Sequence, residues 1–177
     1  VDQKKEMRKR WEDAEFVSTM SSALASLTTE LNAIDSLDLR GLVVGDGSPI
    51  GLHIVRLYQR SIRNSDFSFS RFECAFFESE IRESDLSDCD FDSASFAKAQ
   101  ISDSQFDRSR FVACTLNDVV AVETSFRESS FRDRRALGCR LLRAKFDRCD
   151  FSGAHLKHVE LRATRFHECS FDRVLFE

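Results

Sequence analysis

The residues of this 177-residue chain whose types could do chemistry are six cysteines, four histidines and one glycine-rich string. The cysteines are Cys74, Cys89, Cys114, Cys139, Cys149 and Cys169. A structural zinc site needs ligand pairs roughly two to four residues apart, so that one turn can present both to the ion. Here every cysteine separation is a multiple of five. His155 and His158 could supply two ligands of a surface site, while His53 and His167 stand alone. Gly45-Asp46-Gly47-Ser48-Pro49 lacks the lysine and the following helix that a phosphate-binding loop requires. No Ser or Cys nucleophile is paired with a base at a plausible site. The sequence therefore assigns no catalytic residue, no metal ligand and no cofactor, and it predicts a protein that is not an enzyme.

Charge is the other chemistry available. Residues 73–92 carry Glu73, Glu78, Glu80, Glu83, Asp85, Asp88, Asp90 and Asp92 against Arg82, a net of −7. Residues 127–148 carry Arg127, Arg132, Arg134, Arg135, Arg140, Arg143, Lys145 and Arg148 against three acids, a net of +5. Two readings stand: solvated faces laced with local ion pairs, or electrostatic docking of a partner. Under the second, the partner-binding candidates are Arg127, Arg132, Arg134, Arg135, Arg140 and Arg143. The acidic candidates are Glu78, Glu80, Glu83, Asp85, Asp88, Asp90 and Asp92. The whole chain is at −4, which argues against direct binding of nucleic acid.

The elements that hold these residues are set by a repeat. Stepping by five from Phe76 to Phe176 meets 21 positions, all of them apolar. The position two residues earlier is small in twenty of the 21 units, Arg134 being the exception. A period of five fits neither a helix at 3.6 nor a strand at 2.0. It fits a chain that turns a corner every five residues and hides one large and one small side chain per unit. All six cysteines fall on the small inward position, where a free thiol packs as a small apolar group. Their reduced state predicts a cytoplasmic location.

The unit of a small residue, a polar residue, Leu or Phe, and two variable residues resembles the pentapeptide-repeat family over about residues 60–177. That resemblance implies an all-β solenoid, a right-handed quadrilateral β-helix with four units per coil. About six coils would follow, with an α-helical N-terminal extension. Members similar in Phe and Cys usage include the fluoroquinolone-resistance proteins, which mimic duplex DNA and bind DNA gyrase or topoisomerase IV. Other members are non-catalytic interaction modules. The resemblance thus implies a protein–protein interaction scaffold. A DNA-mimic regulator of a type II topoisomerase is the alternative, and an oligomerisation or anchoring domain of a larger protein is a further one.

A twenty-residue period sorts the central residues into four columns. One reads Phe72, Phe91, Phe111, Phe131, Phe151, Phe171, and its neighbour Phe67, Leu86, Phe106, Phe126, Phe146, Phe166. The third is aliphatic, from Ile62 through Ile81, Ile101 and Ala121 to Leu141 and Leu161, and the fourth is mixed. The predicted core is built on Phe91, Phe106, Phe111, Phe126, Phe131, Phe146, Phe151, Phe166 and Phe171. Phe72 to Phe76 is one residue short, which predicts a deletion near Glu73–Ala75 or, with Phe77 in the older register, just after it. Arg134 in a small slot, beside Ala136, predicts a bulge at Arg132–Gly138 or an outward-reaching side chain, because an unpaired buried guanidinium is costly.

Residues 1–36 read as a helical cap. Met20, Leu24, Leu27, Leu31 and Ile34 form a stripe over a helix at 4–34, with Ser18, Ser21 and Ser22 as breaks. The stripe serves either as a cap on the first coil or as a coiled-coil contact to a second copy. Residues 37–56 are turn-rich, with Asp38–Leu42 like a stray unit and Ile50, Leu52 and Ile54 alternating as a strand. Residues 57–177 form the repeat. The chain has neither a signal peptide nor an apolar run long enough to span a membrane. Val1 is not a natural start, so the sequence leaves open whether the chain is a fragment of a longer or anchored protein. The stop at Phe176-Glu177 predicts truncation, or an open β-helix end that stacks on another subunit.

Overall fold

The computed structural model describes residues 2–29, 33–53, 57–73, 76, 78–131 and 138–176. From Ile34 the chain winds as a square solenoid with a corner after each five-residue unit. Face 1 is a seven-stranded parallel sheet of β1 (Ile34–Asp35), β3 (Ser61–Arg63), β5 (Glu80–Arg82), β7 (Gln100–Ser102), β9 (Val120–Val122), β11 (Lys145–Asp147) and β13 (Arg165–His167). Face 3, opposite, is a second such sheet. It holds β2 (Val43–Val44), β4 (Arg71–Phe72), β6 (Asp90–Asp92), β8 (Arg110–Val112), β10 (Ser130–Phe131), β12 (His155–Leu156) and β14 (Leu175–Phe176). Faces 2 and 4 are joined by single parallel bridges, such as Asp66 to Asp85 on face 2 and Ser95 to Thr115 on face 4. The stack thus begins at Ile34, ahead of the continuous sequence repeat.

Each corner is made by backbone in the left-handed region. The second residue after each central one has positive φ, for example Asn64 at 48°, Lys98 at 59° and Phe69 at 66°. That conformation costs about 1–2 kcal/mol in a residue with a Cβ. Two sets of hydrogen bonds offset it. On faces 2 and 4 a β-turn closes each unit, as where Ala99 N–H donates to the Phe96 carbonyl at 2.9 Å. Ser65, Ser84, Ser104 and Thr124, leading from face 1 to face 2, donate to the carbonyl two residues earlier, and at the other corners small inward residues donate a hydroxyl or thiol to a carbonyl one coil back. Ser109 reaches Leu86 at 2.7 Å, Cys114 reaches Phe91 at 2.8 Å and Cys139 reaches Phe111 at 3.0 Å. A buried carbonyl without a donor would be costly, so Ser, Thr and Cys share this slot with Ala.

The large inward residues stack rung on rung. Phe91 and Phe111 lie 5.0 Å apart and Phe111 and Phe131 4.5 Å apart, nearly parallel. Rings on adjoining faces meet edge-on, as Phe146 and Phe151 do at 82°. Both arrangements suit the aromatic quadrupole. In the last coil, Phe166 and Phe171 remain only partly buried, and Leu175 and Phe176 are exposed.

The coil length departs from twenty in three places. Ile34 pairs with Ile62 and Val44 with Phe72, a step of twenty-eight residues. Ile62 pairs with Ile81 and Phe72 with Phe91, a step of nineteen. Phe76 is buried and stacks on Phe96 at 4.7 Å, so the deletion falls between Phe72 and Phe76. The third departure corrects the expected columns. Ala121 pairs with Phe146 and Phe131 with Leu156, a step of twenty-five. Phe151 therefore stacks on Phe126, at 5.0 Å, and Phe146 follows the aliphatic face 1. An insertion of one whole unit leaves the five-residue phase unchanged, so stepping by five passes over it unseen. The expected bulge at Arg132–Gly138 falls at this point, and its residues 132–137 lie outside the described residues, as do Cys74, Ala75 and Phe77.

The N-terminal segment is not one helix. It forms α1 (Gln3–Lys9), a 3₁₀ turn (Arg10–Glu12), α2 (Ala14–Thr19) and α3 (Ser21–Thr28). Asp13 caps α2 by accepting the Phe16 N–H at 2.7 Å, so the break falls there and at Met20. Segments of six to eight residues cannot sustain the heptads of a coiled coil. Instead Trp11, Ala23 and Leu27 join the solenoid core, and Ile34 belongs to β1. Buried Arg60 donates to the Ser26 and Thr29 carbonyls at the end of α3. The expected strand over Ile50–Ile54 is also absent among the described residues. Gly45 N–H bonds the Leu52 carbonyl at 2.8 Å and closes a loop there; Ile54 lies outside them.

Candidate functional site

Most of the charged candidates meet across coils. Glu78 receives Gln59 and Lys98, the latter at 3.0 Å, and these bonds hold its carboxyl below the usual range. Glu80 faces Arg63 at 3.1 Å and Arg82 at 2.7 Å. Asp88 is gripped by Arg108 at 2.7 Å, and Asp92 by Arg110 at 3.2 Å. Among the described residues Glu83 and Asp85 have no ion pair; Asp85 accepts the Ser87 N–H instead. On the basic side, Arg143 binds Asp118 at 2.7 Å, and Arg127 lies 3.7 Å from Asp150. Arg148, not among the candidates, reaches Glu123 at 2.9 Å. These pairs lie at the surface, where solvent screens them and leaves each a small part in stability. Arg140 is exposed and makes no ion pair among the described residues. Arg132, Arg134 and Arg135 lie outside them.

Asp90 differs, because the chain's own N-terminus occupies it. Lys4 at 3.0 Å, Arg8 at 2.8 Å and Arg110 at 3.2 Å converge on this half-buried carboxylate. Burial opposes its charge, but the bonds from Arg8 and Lys4 outweigh burial and hold the carboxyl below its usual range. Arg8 also donates to the Phe69 and Ser70 carbonyls. Arg10 and Trp11 reach the Arg40 carbonyl, each at 2.9 Å. The helix α1 thus runs along the corner of faces 2 and 3 over three coils. Gly41, at φ 72°, makes room for it, since a Cβ there would lie 2.2 Å from the Met7 carbonyl. The basic run Lys4–Arg10 opposite Asp38 and Asp90 was the signal available in the sequence for this docking.

All three departures in coil length share one corner. The long step falls between Val44 and Leu57, the short one between Phe72 and Phe76, and the added unit between Phe131 and Leu141. Each of these intervals leads from face 3 to face 4. The first and third are four rungs apart, roughly 19 Å along the rod. Between them the corner presents the acids Glu73 and Asp92 and the uncharged Ser93, Ser95, Ala113 and Thr115.

The cysteine and histidine candidates take their places around this frame. Cys89, Cys114, Cys139 and Cys149 are buried thiols, and Cys169 is partly exposed. Burial pushes the Cys149 thiol up to about 12 and Cys89 higher still, so neither is a ready nucleophile. His53, His155 and His158 are exposed. Asp147, His167 and Glu168 bring three ligand-type atoms within 4.8 Å on the surface, but Arg148 already pairs with Asp147 at 2.8 Å.

A family model described as pentapeptide repeats matches eight copies, at residues 74–112 and 138–177. Those two stretches are pentapeptide repeats. The gap in the match, 113–137, contains the five residues added to one coil of this pentapeptide-repeat protein. Among solved structures, it resembles trypsin-treated QnrB1, a plasmid-mediated fluoroquinolone resistance protein. That likeness is at 13% identity and a TM-score of 0.44, over 81% of this chain and 90% of that one. It also resembles the pentapeptide repeat protein Rfr23 from the cyanobacterium Cyanothece 51142, at 14% identity and a TM-score of 0.38, over 89% and 99%. No curated protein matches it. No helix among the described residues is long and apolar enough to cross a membrane.

Proposed function

We propose that this pentapeptide-repeat protein is a protein-interaction scaffold that docks a partner at the corner between faces 3 and 4. Family members are generally structural or interaction proteins. The supporting observation is the confinement of every change in coil length to that one corner. In a solenoid, inserted residues gather where a binding face is built. The added unit lies in the stretch that carries Arg132, Arg134 and Arg135, next to Arg140, which makes no ion pair among the described residues; Arg127 and Arg143 face Asp150 and Asp118. An acidic partner suits this charge.

The acidic candidates Glu78, Glu80, Asp88, Asp90 and Asp92 support a different role. Each already faces a cation of its own chain, and this favours a structural ladder over a duplex-DNA mimic, which needs uncompensated negative charge. The test uses immobilised wild type and an R132E/R135E/R140E variant with an unchanged thermal melt. Partners retained by the wild type and lost from the variant support the reading; the same set on both removes it. A supercoiling assay with DNA gyrase addresses topoisomerase regulation separately, and inhibition or protection by the added protein would favour the mimic.

A further inference from the structure

The ion-pair ladder has a gap on face 1. Lys145 and Arg165 are register partners on neighbouring strands. Both are exposed, and neither has an ion pair among the described residues. Like charges directly opposite one another across strands are destabilising. The other in-register cations on this face, Arg63 and Arg82, share Glu80 between them, whereas Lys145 and Arg165 share no acid. One rung earlier in the same column stands Val120, which is 38% exposed, with Val122 two residues on along β9. Arg140 adds a further unpaired cation on the adjoining face 4.

We infer that this end of face 1 is a docking surface for an acidic protein segment carrying an apolar side chain. The inference rests on the scaffold reading and names its partner's chemistry. Rungs about 4.8 Å apart place Val120, Lys145 and Arg165 in one column roughly 10 Å long, with Val122 in the neighbouring column of Asp147 and His167. An apolar side chain covers Val120 and Val122, and a carboxylate settles between Lys145 and Arg165, which removes their mutual repulsion. Protein suits this surface better than nucleic acid does, because the exposed Val120 offers nothing to a phosphate backbone and the chain as a whole is at −4.

Fluorescence anisotropy with three probes tests this: a labelled twelve-residue peptide of repeated Leu-Glu-Glu, its Ser-Glu-Glu counterpart, and a labelled twelve-base-pair DNA duplex. The wild type is expected to bind the Leu-Glu-Glu peptide at least tenfold tighter than either other probe. K145E/R165E is expected to weaken that binding at least tenfold. An R132E/R135E variant runs in parallel. Loss there with full binding by K145E/R165E overturns the face 1 site and leaves the corner reading standing; the reverse pattern keeps the face 1 site. No binding of the peptide, or equal binding of the duplex, also overturns it.

Discussion

At the scale of single residues, each inward side chain is held by its neighbours one coil up and one coil down. Phe111 is buried and lies between Phe91 and Phe131, at 5.0 and 4.5 Å. Phe111→Ala removes both stacks and leaves a cavity that the short, hydrogen-bonded rungs cannot close. The expected loss is about 3–5 kcal/mol, read from denaturant midpoints. A loss below about 1 kcal/mol would mean that the rungs are not close-packed. His167 provides a pH test at the surface. Its Nδ1 lies 2.8 Å from Asp147 one coil back, and this bond, with Glu168 nearby, raises its pKa above 6.5. A raised value means that the charged pair adds stability below pH 6.5, and that this is lost as pH rises through the folded-state value. An NMR titration should therefore place the His167 midpoint above 6.5; a midpoint at or below it contradicts the pairing.

At the scale of elements, the repeat was legible and the helices only partly so. The five-step reads directly because one large and one small side chain must point inward in every unit. Leu27, on the predicted stripe, announced an apolar contact to the first coils. The break at Met20 falls between Ser18 and Ser21, where the serines placed it, but the one at Asp13 was not foreseen, because a single Asp cap gives a weaker signal than a cluster of serines. The docking of α1 was hidden for another reason: α1 buries no residue of its own and is held to the flank largely by Lys4 and Arg8. Such a contact leaves no apolar stripe to read. It should also come loose by itself. Asp90→Asn is expected to speed hydrogen exchange in Gln3–Lys9 severalfold while the sheet amides stay protected. Because the Asp90 carboxyl is held low, the docking stabilises the fold above about pH 3.8 and is lost as pH falls through its depressed value. Unchanged exchange in the Asn variant would show that the ion pairs do not hold the helix.

At the scale of the whole molecule, a solenoid sums the contributions of neighbouring coils, so its register matters more than any one contact. The sequence resolves that register modulo five and not modulo twenty. Arg134 in a small slot marked the place where the two differ, yet it could not tell a bulge from a whole added unit. The pairings Ala121 with Phe146 and Phe131 with Leu156 make that distinction. Deleting Arg132–Ala136 tests this directly. It leaves Leu137, Gly138, Cys139 and Arg140 between Phe131 and Leu141, one regular unit of five. If the coil holds one extra unit, the shortened protein keeps its far-UV spectrum and melts cooperatively within a few degrees of the wild type. If the coil were already regular, the deletion would rotate every later face by one side of the square, and the cooperative melt would be lost.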